Sequence, residues 1–169
     1  QGASSLDVLR KDFSDRFINA GISEQNIITL ASGLSSVGKK VFVYSIASFI
    51  TLRCFEQIKI DLCVMKQPVT IVGVGASYSY SADGPTHHAT EDISIMRSLA
   101  NMEIYSPSDS YQAEQLVNTS LSSKKPIYIR LDRQTFPLIQ NKKLEIKKGF
   151  NSLTKSNKYG IIGSFLGAL

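Results

Sequence analysis

Residues 68–99 read PVTIVGVGASYSYSADGPTHHATEDISIMRSL. The first part, 69–76, is a nearly uninterrupted apolar run with β-branched residues, which predicts a strand buried on both faces. Residues 77–88 then turn to Gly, Ser and Tyr around the turn signal Asp83-Gly84-Pro85, and 89–99 return to helical spacing. Buried strand, loop and helix in that order make one unit of a parallel α/β sheet.

The same alternation extends in both directions. Upstream, 16–21 (RFINAG) is a candidate short strand, and 23–37 is a helix ended by Gly38. A strand at 39–46 and a helix at 48–66, stopped ahead of Pro68, complete that side. Downstream come a strand at 102–106, a helix at 109–122 and a strand at 126–131. A polar, basic connector over 136–158 leads to a further strand at 159–164. Such spacing predicts a three-layer α/β fold, a parallel sheet with right-handed crossovers and helices on both faces. Ligands of these sheets bind beyond the carboxyl ends of the strands. That rule brings the start of the 23–37 helix, the 45–49 turn, the 75–88 loop and Asp132-Arg133 to one edge.

Composition narrows the function. A chain of 169 residues, 43% hydrophobic and 20% charged, suits one globular domain with a sizeable core. The formal charge of +5 is confined to the tail: residues 1–140 hold 13 basic and 13 acidic side chains, and 141–169 hold 6 Lys and 1 Glu. The tail's run NKKLEIKKG has no aromatic interleaving, so a solvated face or linker is expected rather than nucleic-acid binding. Cys54 and Cys63 belong to no CxxC motif and lie in an apolar pattern, which predicts free buried thiols and a reducing compartment. No apolar run is long enough for a membrane span, and no basic-then-apolar leader opens the chain. A cytoplasmic protein is the expectation. The start at Gln1 and the end in YGIIGSFLGAL suggest a fragment.

Two features hold candidate chemistry. Glu24 is the only charged residue between Gly21 and Val37. With Ser23 as N-cap it would be a first-turn acid favoured by the helix dipole, so its isolation alone does not make it functional. The 75–88 loop holds both histidines of the chain, with Thr86, His87 and His88 just ahead of the next predicted helix. A loop histidine is ordinarily a surface residue, and adjacent histidines without an acid or Cys partner are weak evidence for a metal site.

Taken together, five segments change that reading. RFINAGISEQNIITLASGLSSVGKKVFVYSIASFITLRCFEQI, PVTIVGVG, DGPTHHATEDISIMRSL, NMEIYSPSD and PIYIRLDR resemble, in order and spacing, the pyrimidine-binding domain of transketolases. The resemblance runs over 15–137, with 1–14 as a lead-in and 138–169 as a connector and the first strand of a truncated C-terminal domain. It is closest to the C-terminal subunit of split, two-subunit transketolase-like proteins.

The resemblance implies thiamine diphosphate bound across an interface, with its aminopyrimidine on this domain and its diphosphate and Mg²⁺ on a separate partner subunit or domain. It implies a homodimeric or heterotetrameric assembly that transfers a two-carbon ketol unit between sugar phosphates. Glu24 matches the acid that hydrogen-bonds the pyrimidine ring nitrogen, a role that a desolvated, otherwise uncharged setting suits. Phe49 matches the pyrimidine-stacking region, with Ile46 and Leu52 in neighbouring places. His87 matches the loop histidine that contacts the sugar's oxygens, and Asp83 the acid that receives a donor hydroxyl. Arg133 matches the arginine for the terminal phosphate, suited by its planar fork; a surface ion pair with Asp132 or another acid is its plainer reading.

There are departures. Only Phe49 is aromatic in SIASFITL, and members of the family often carry another histidine at a position corresponding to the neighbourhood of Gly75. The chain contains no Gly-Asp-Gly followed by Asn, the diphosphate motif of the family. Other thiamine diphosphate enzymes, deoxyxylulose-phosphate synthase-like or 2-oxoacid dehydrogenase β-like, are the alternative. A non-catalytic dimerisation domain of the same fold is another.

Overall fold

The computed structural model describes residues 6–134 and 136–138. A short helix α1 (Asp7–Asp12) and one 3₁₀ turn (Ser14–Arg16) lead into α2 (Glu24–Ser36), β1 (Phe42–Ile46), α3 (Ala47–Thr51) and α4 (Phe55–Gln57). Then follow β2 (Thr70–Val74), α5 (Asp92–Arg97), β3 (Glu103–Tyr105), α6 (Ser110–Ser122) and β4 (Ile127–Leu131). The four strands are all parallel in the order β1-β2-β4-β3.

Alternation along the strands explains the layers. Tyr128 of β4 packs in one core cluster with Ile28 of α2, Ile50 of α3 and Met96 of α5, whereas Ile127 and Ile129 pack with Leu116 of α6 in a second. Successive strand residues point to opposite faces, so α2, α3 and α5 cover one face and α6 the other. Helix α6 starts where its sequence says it should, with the Asp109 carboxylate accepting from the Gln112 N–H at 2.9 Å. Helix α2 ends at Ser36, and Gly38 supplies the left-handed φ of +85° that turns the chain toward β1.

Three expectations are corrected. The strand expected at 16–21 is not formed: Arg16 closes the 3₁₀ turn, and 17–21 do not pair with β1, the edge strand among the described residues. The helix expected over 48–66 is broken into α3, α4 and a π-helical stretch, Ile58–Val64. Thr51 Oγ1 donates back to the Ala47 carbonyl at 2.7 Å, a bond that competes with continuation of the helix. Wider i→i−5 bonds then carry the chain onward, from Met65 N to Ile60 O and from Gln67 N to Leu62 O. Helix α5 starts at Asp92, so Thr86–His88 sit in their own turn and not at its N-terminus. The strand expected at 159–164 lies outside the described residues.

Cys54 and Cys63 are free and buried. Burial pushes the Cys63 thiol up to about 11. Burial, then Glu24, pushes the Cys54 thiol up to about 12, against an opposing pull from Arg53. Both thiols are therefore expected to react with a disulfide reagent at pH 8 at least about tenfold more slowly in the folded protein than in denaturant. The sign for stability follows: above about pH 9 the unfolded thiols ionise while the folded ones keep their protons, so stability falls as pH rises. Native thiols titrating as fast as denatured ones would contradict this burial.

Candidate functional site

The carboxyl edge of the sheet gathers the expected segments. Strand β1 ends at Ile46, which pairs with Val74, the last residue of β2. Gly75 follows with φ +92°, and a Cβ there would lie 2.1 Å from Cε2 of Tyr80, so the position accepts only glycine without moving that ring. Strand β4 ends at Leu131, whose carbonyl accepts from both Gly75 N and Ala76 N, at 2.9 and 3.1 Å. The loop opened at Gly75 and the Asp132-Arg133 pair thus leave the sheet side by side.

Glu24 opens α2 and is 7% exposed. Ser23 does not cap the helix with its side chain: its Oγ donates to the Ala20 carbonyl at 2.7 Å instead. The Glu24 carboxylate is met by Arg53, with Nη1 3.1 Å from Oε2. The Arg53 guanidinium also lies over the Phe49 ring, 4.4 Å from its centroid. Phe49 meets the His87 ring edge-on at 4.9 Å, and His87 in turn lies 5.9 Å from Tyr80. The chain of contacts ends with Arg133, its guanidinium 4.9 Å from the centroid of Tyr80.

Glu24, Phe49, His87 and Arg133 are thereby joined in one continuous series of side chains, through two residues that sequence reasoning did not single out, Arg53 and Tyr80. Tyr80 is set by the loop itself: burial, then the neighbouring Tyr44, raises its hydroxyl above the ordinary tyrosine value, and Arg133 opposes the rise. Asp83 closes the 3₁₀ turn Ser81–Asp83 three residues further on, its backbone N–H donating to the Tyr80 carbonyl at 3.0 Å. His87 is fixed by its backbone N–H to Gly84 O at 3.0 Å, and its Nδ1 lies 3.0 Å from Thr86 Oγ1. Ser48 Oγ, one residue before Phe49, donates to the Thr86 carbonyl at 3.3 Å and ties the loop to α3.

Arg133 forms no ion pair with Asp132 or another carboxylate among the described residues, and Asp132 Oδ1 instead accepts from Ser79 Oγ at 2.7 Å and Gln134 N at 3.2 Å. Ile46 sits at the same edge as the residue preceding α3. His88 turns away from the series and packs edge-on against Tyr78 at 4.9 Å. Among the described residues, no three potential metal ligands cluster, and no helix is long and apolar enough to cross a membrane.

Comparison with known proteins adds an independent line. The family model of the transketolase pyrimidine-binding domain matches residues 3–138. An apulose-4-phosphate transketolase subunit of Actinobacillus succinogenes is 34% identical over 153 residues, covering 90% of this chain and 49% of that protein. A 1-deoxy-D-xylulose-5-phosphate synthase of Halothermothrix orenii is 32% identical over 130 residues, covering 77% of this chain and 20% of that one. Among solved structures, a split-gene transketolase in the form of an inactive beta4 tetramer superimposes with a TM-score of 0.77 at 34% identity, over 91% of this chain and 50% of that one. The chain thus spans about half the length of these two transketolase relatives.

Proposed function

Because the chain belongs to the transketolase pyrimidine-binding-domain family, we propose that it forms the pyrimidine-binding half of a thiamine diphosphate site in a transketolase-type enzyme. The observation that carries this reading is the guanidinium of Arg53. A planar group bearing N–H donors already rests on Phe49 and donates to buried Glu24, at 4.4 and 3.1 Å. An aminopyrimidine is planar, has a protonatable ring nitrogen, and asks for the same two partners. The residues present fit that part of the cofactor.

When bound, the cofactor supplies the carbon chemistry, and this chain supplies orientation and proton placement. Glu24 holds a proton at the pyrimidine nitrogen in a site mostly shielded from water. Phe49, with Ile46 beside it, gives the ring its apolar face. His87 and Asp83 receive hydroxyl and carbonyl oxygens of the donor sugar, and Arg133, held over Tyr80, takes its terminal phosphate. The diphosphate and its Mg²⁺ fall to a separate subunit, which this chain would meet in an oligomer. The likeness to a transketolase subunit and to a split-gene transketolase favours ketol transfer between sugar phosphates over the synthase chemistry of the more distant relative.

Calorimetry of thiamine diphosphate with Mg²⁺ tests the half-site directly. Binding to this chain alone is expected to be at least about tenfold weaker than to the chain mixed with its diphosphate-binding partner, because the ligand's charged end would lack its contacts. Equal affinity with and without the partner would overturn the proposal.

A further inference from the structure

Strand β4 carries a charged residue where its pattern calls for an apolar one. Arg130 follows Ile127, Tyr128 and Ile129, and pairs in register with Gly73 of β2. Its guanidinium makes three contacts: Nε to Asp92 Oδ2 at 2.7 Å, Nη2 to Ser77 Oγ at 2.9 Å, and Nη2 to the Ala89 carbonyl at 3.1 Å. Ser77 and Ala89 are the two ends of the loop that carries Asp83 and His87, and they also pair with each other by backbone bonds at 3.1 and 2.9 Å.

Behind the guanidinium, Asp92 is 1% exposed and also accepts from Tyr128 Oη at 2.7 Å. Room for that tyrosine depends on Gly73, where a Cβ would lie 2.9 Å from the Tyr128 hydroxyl. Two residues further on, just past the end of β4, Asp132 meets the loop a second time through Ser79 Oγ at 2.7 Å, a hydroxyl equally close to the Ala76 carbonyl. Ser77 itself sits at φ +53°, a conformation that a non-glycine residue keeps only when its surroundings hold it.

We propose that Arg130 and Asp132 are positioning residues: from β4 and the residue just past its end they staple the 77–89 loop at its ends and near its start, and so fix where Asp83 and His87 stand. Neither would touch the sugar. Their effect is on how well the loop is placed when the donor arrives, so it is read in KM more than in kcat. The inference rests on the proposed transketolase-type site for its kinetic consequence only.

The test uses this chain in its complex with the partner. Arg130→Lys keeps the charge but loses the fork that spans three partners, and the double variant S77A/S79A removes the loop's side of the staple while sparing the buried Arg130–Asp92 pair. In both, amide hydrogen exchange across 77–89 is expected to rise at least about fivefold, with β2 and α6 unchanged. KM for a phosphorylated ketose donor is expected to rise about threefold to tenfold, with kcat within about twofold of the unaltered protein. Unchanged exchange in S77A/S79A would overturn the staple, whether or not Arg130→Lys folds. Faster exchange with an unchanged KM would overturn its link to donor binding. Failure of the transketolase reading shows differently, as absent ketol transfer in the unaltered complex, and the exchange measurement still decides whether the staple holds the loop.

Discussion

Glu24→Gln is expected to slow exchange of the thiazolium C2 proton by at least about 10²-fold in the complete complex with cofactor and Mg²⁺, the usual scale for losing a positioned proton-transfer group. Gln is nearly the same size and keeps a carbonyl acceptor, so packing at the start of α2 should survive. What it cannot do is share a proton with a ring nitrogen. Arg53 complicates the comparison, because without cofactor its guanidinium donates to Glu24 Oε2, where the ring nitrogen would bind, and in the variant that competing pair loses its anionic partner. That loss is modest, since Arg53 is about half exposed and screened by water. Cofactor affinity measured alongside separates the two effects: a tenfold or smaller loss of binding with a hundredfold loss of exchange assigns the defect to proton placement. Exchange within about threefold of the unaltered complex would defeat the role assigned to Glu24.

The architecture was legible because it depends on apolar runs whose partners need not be known. Residues 69–76 could only be a strand buried on both faces, and β2 stands second in a parallel sheet with a neighbour on each side. Residues 17–21 misled for the complementary reason: a short, partly apolar stretch reads as a strand by its local pattern, but whether it joins a sheet is a tertiary choice, and here it leaves the open edge of β1 unpaired among the described residues. The site was half legible. Glu24 stood out by its isolation and the loop by its composition, but Arg53 meets Glu24 across 29 positions of sequence, and Tyr80 looked like one more loop tyrosine. Arg130 had left a signal: a charge inside IYIRL, like a glycine inside TIVGV, breaks the pattern of a buried strand, and in the folded chain the two lie side by side.

That buried charge also sets the largest expected loss of stability. Asp92→Ala would leave the Arg130 guanidinium, 12% exposed, without its counter-charge, and removing one partner of a buried pair costs about 3–5 kcal/mol. Tyr128 Oη would lose its acceptor as well. One effect acts the other way: Asp92 Oδ1 is buried with no hydrogen-bond partner among the described residues, so the carboxylate bears a desolvation cost that the variant relieves. The two can be told apart by a second substitution. If the damage comes from the stranded cation, Asp92→Ala combined with Arg130→Met should be more stable than Asp92→Ala alone, because both charges are then gone and the site is apolar. If the damage is only the space left by a side chain, adding Arg130→Met should make matters worse. Urea midpoints of the three variants decide it, and a shift of less than about 1 kcal/mol for Asp92→Ala would show that the pair contributes little beyond an ordinary hydrogen bond.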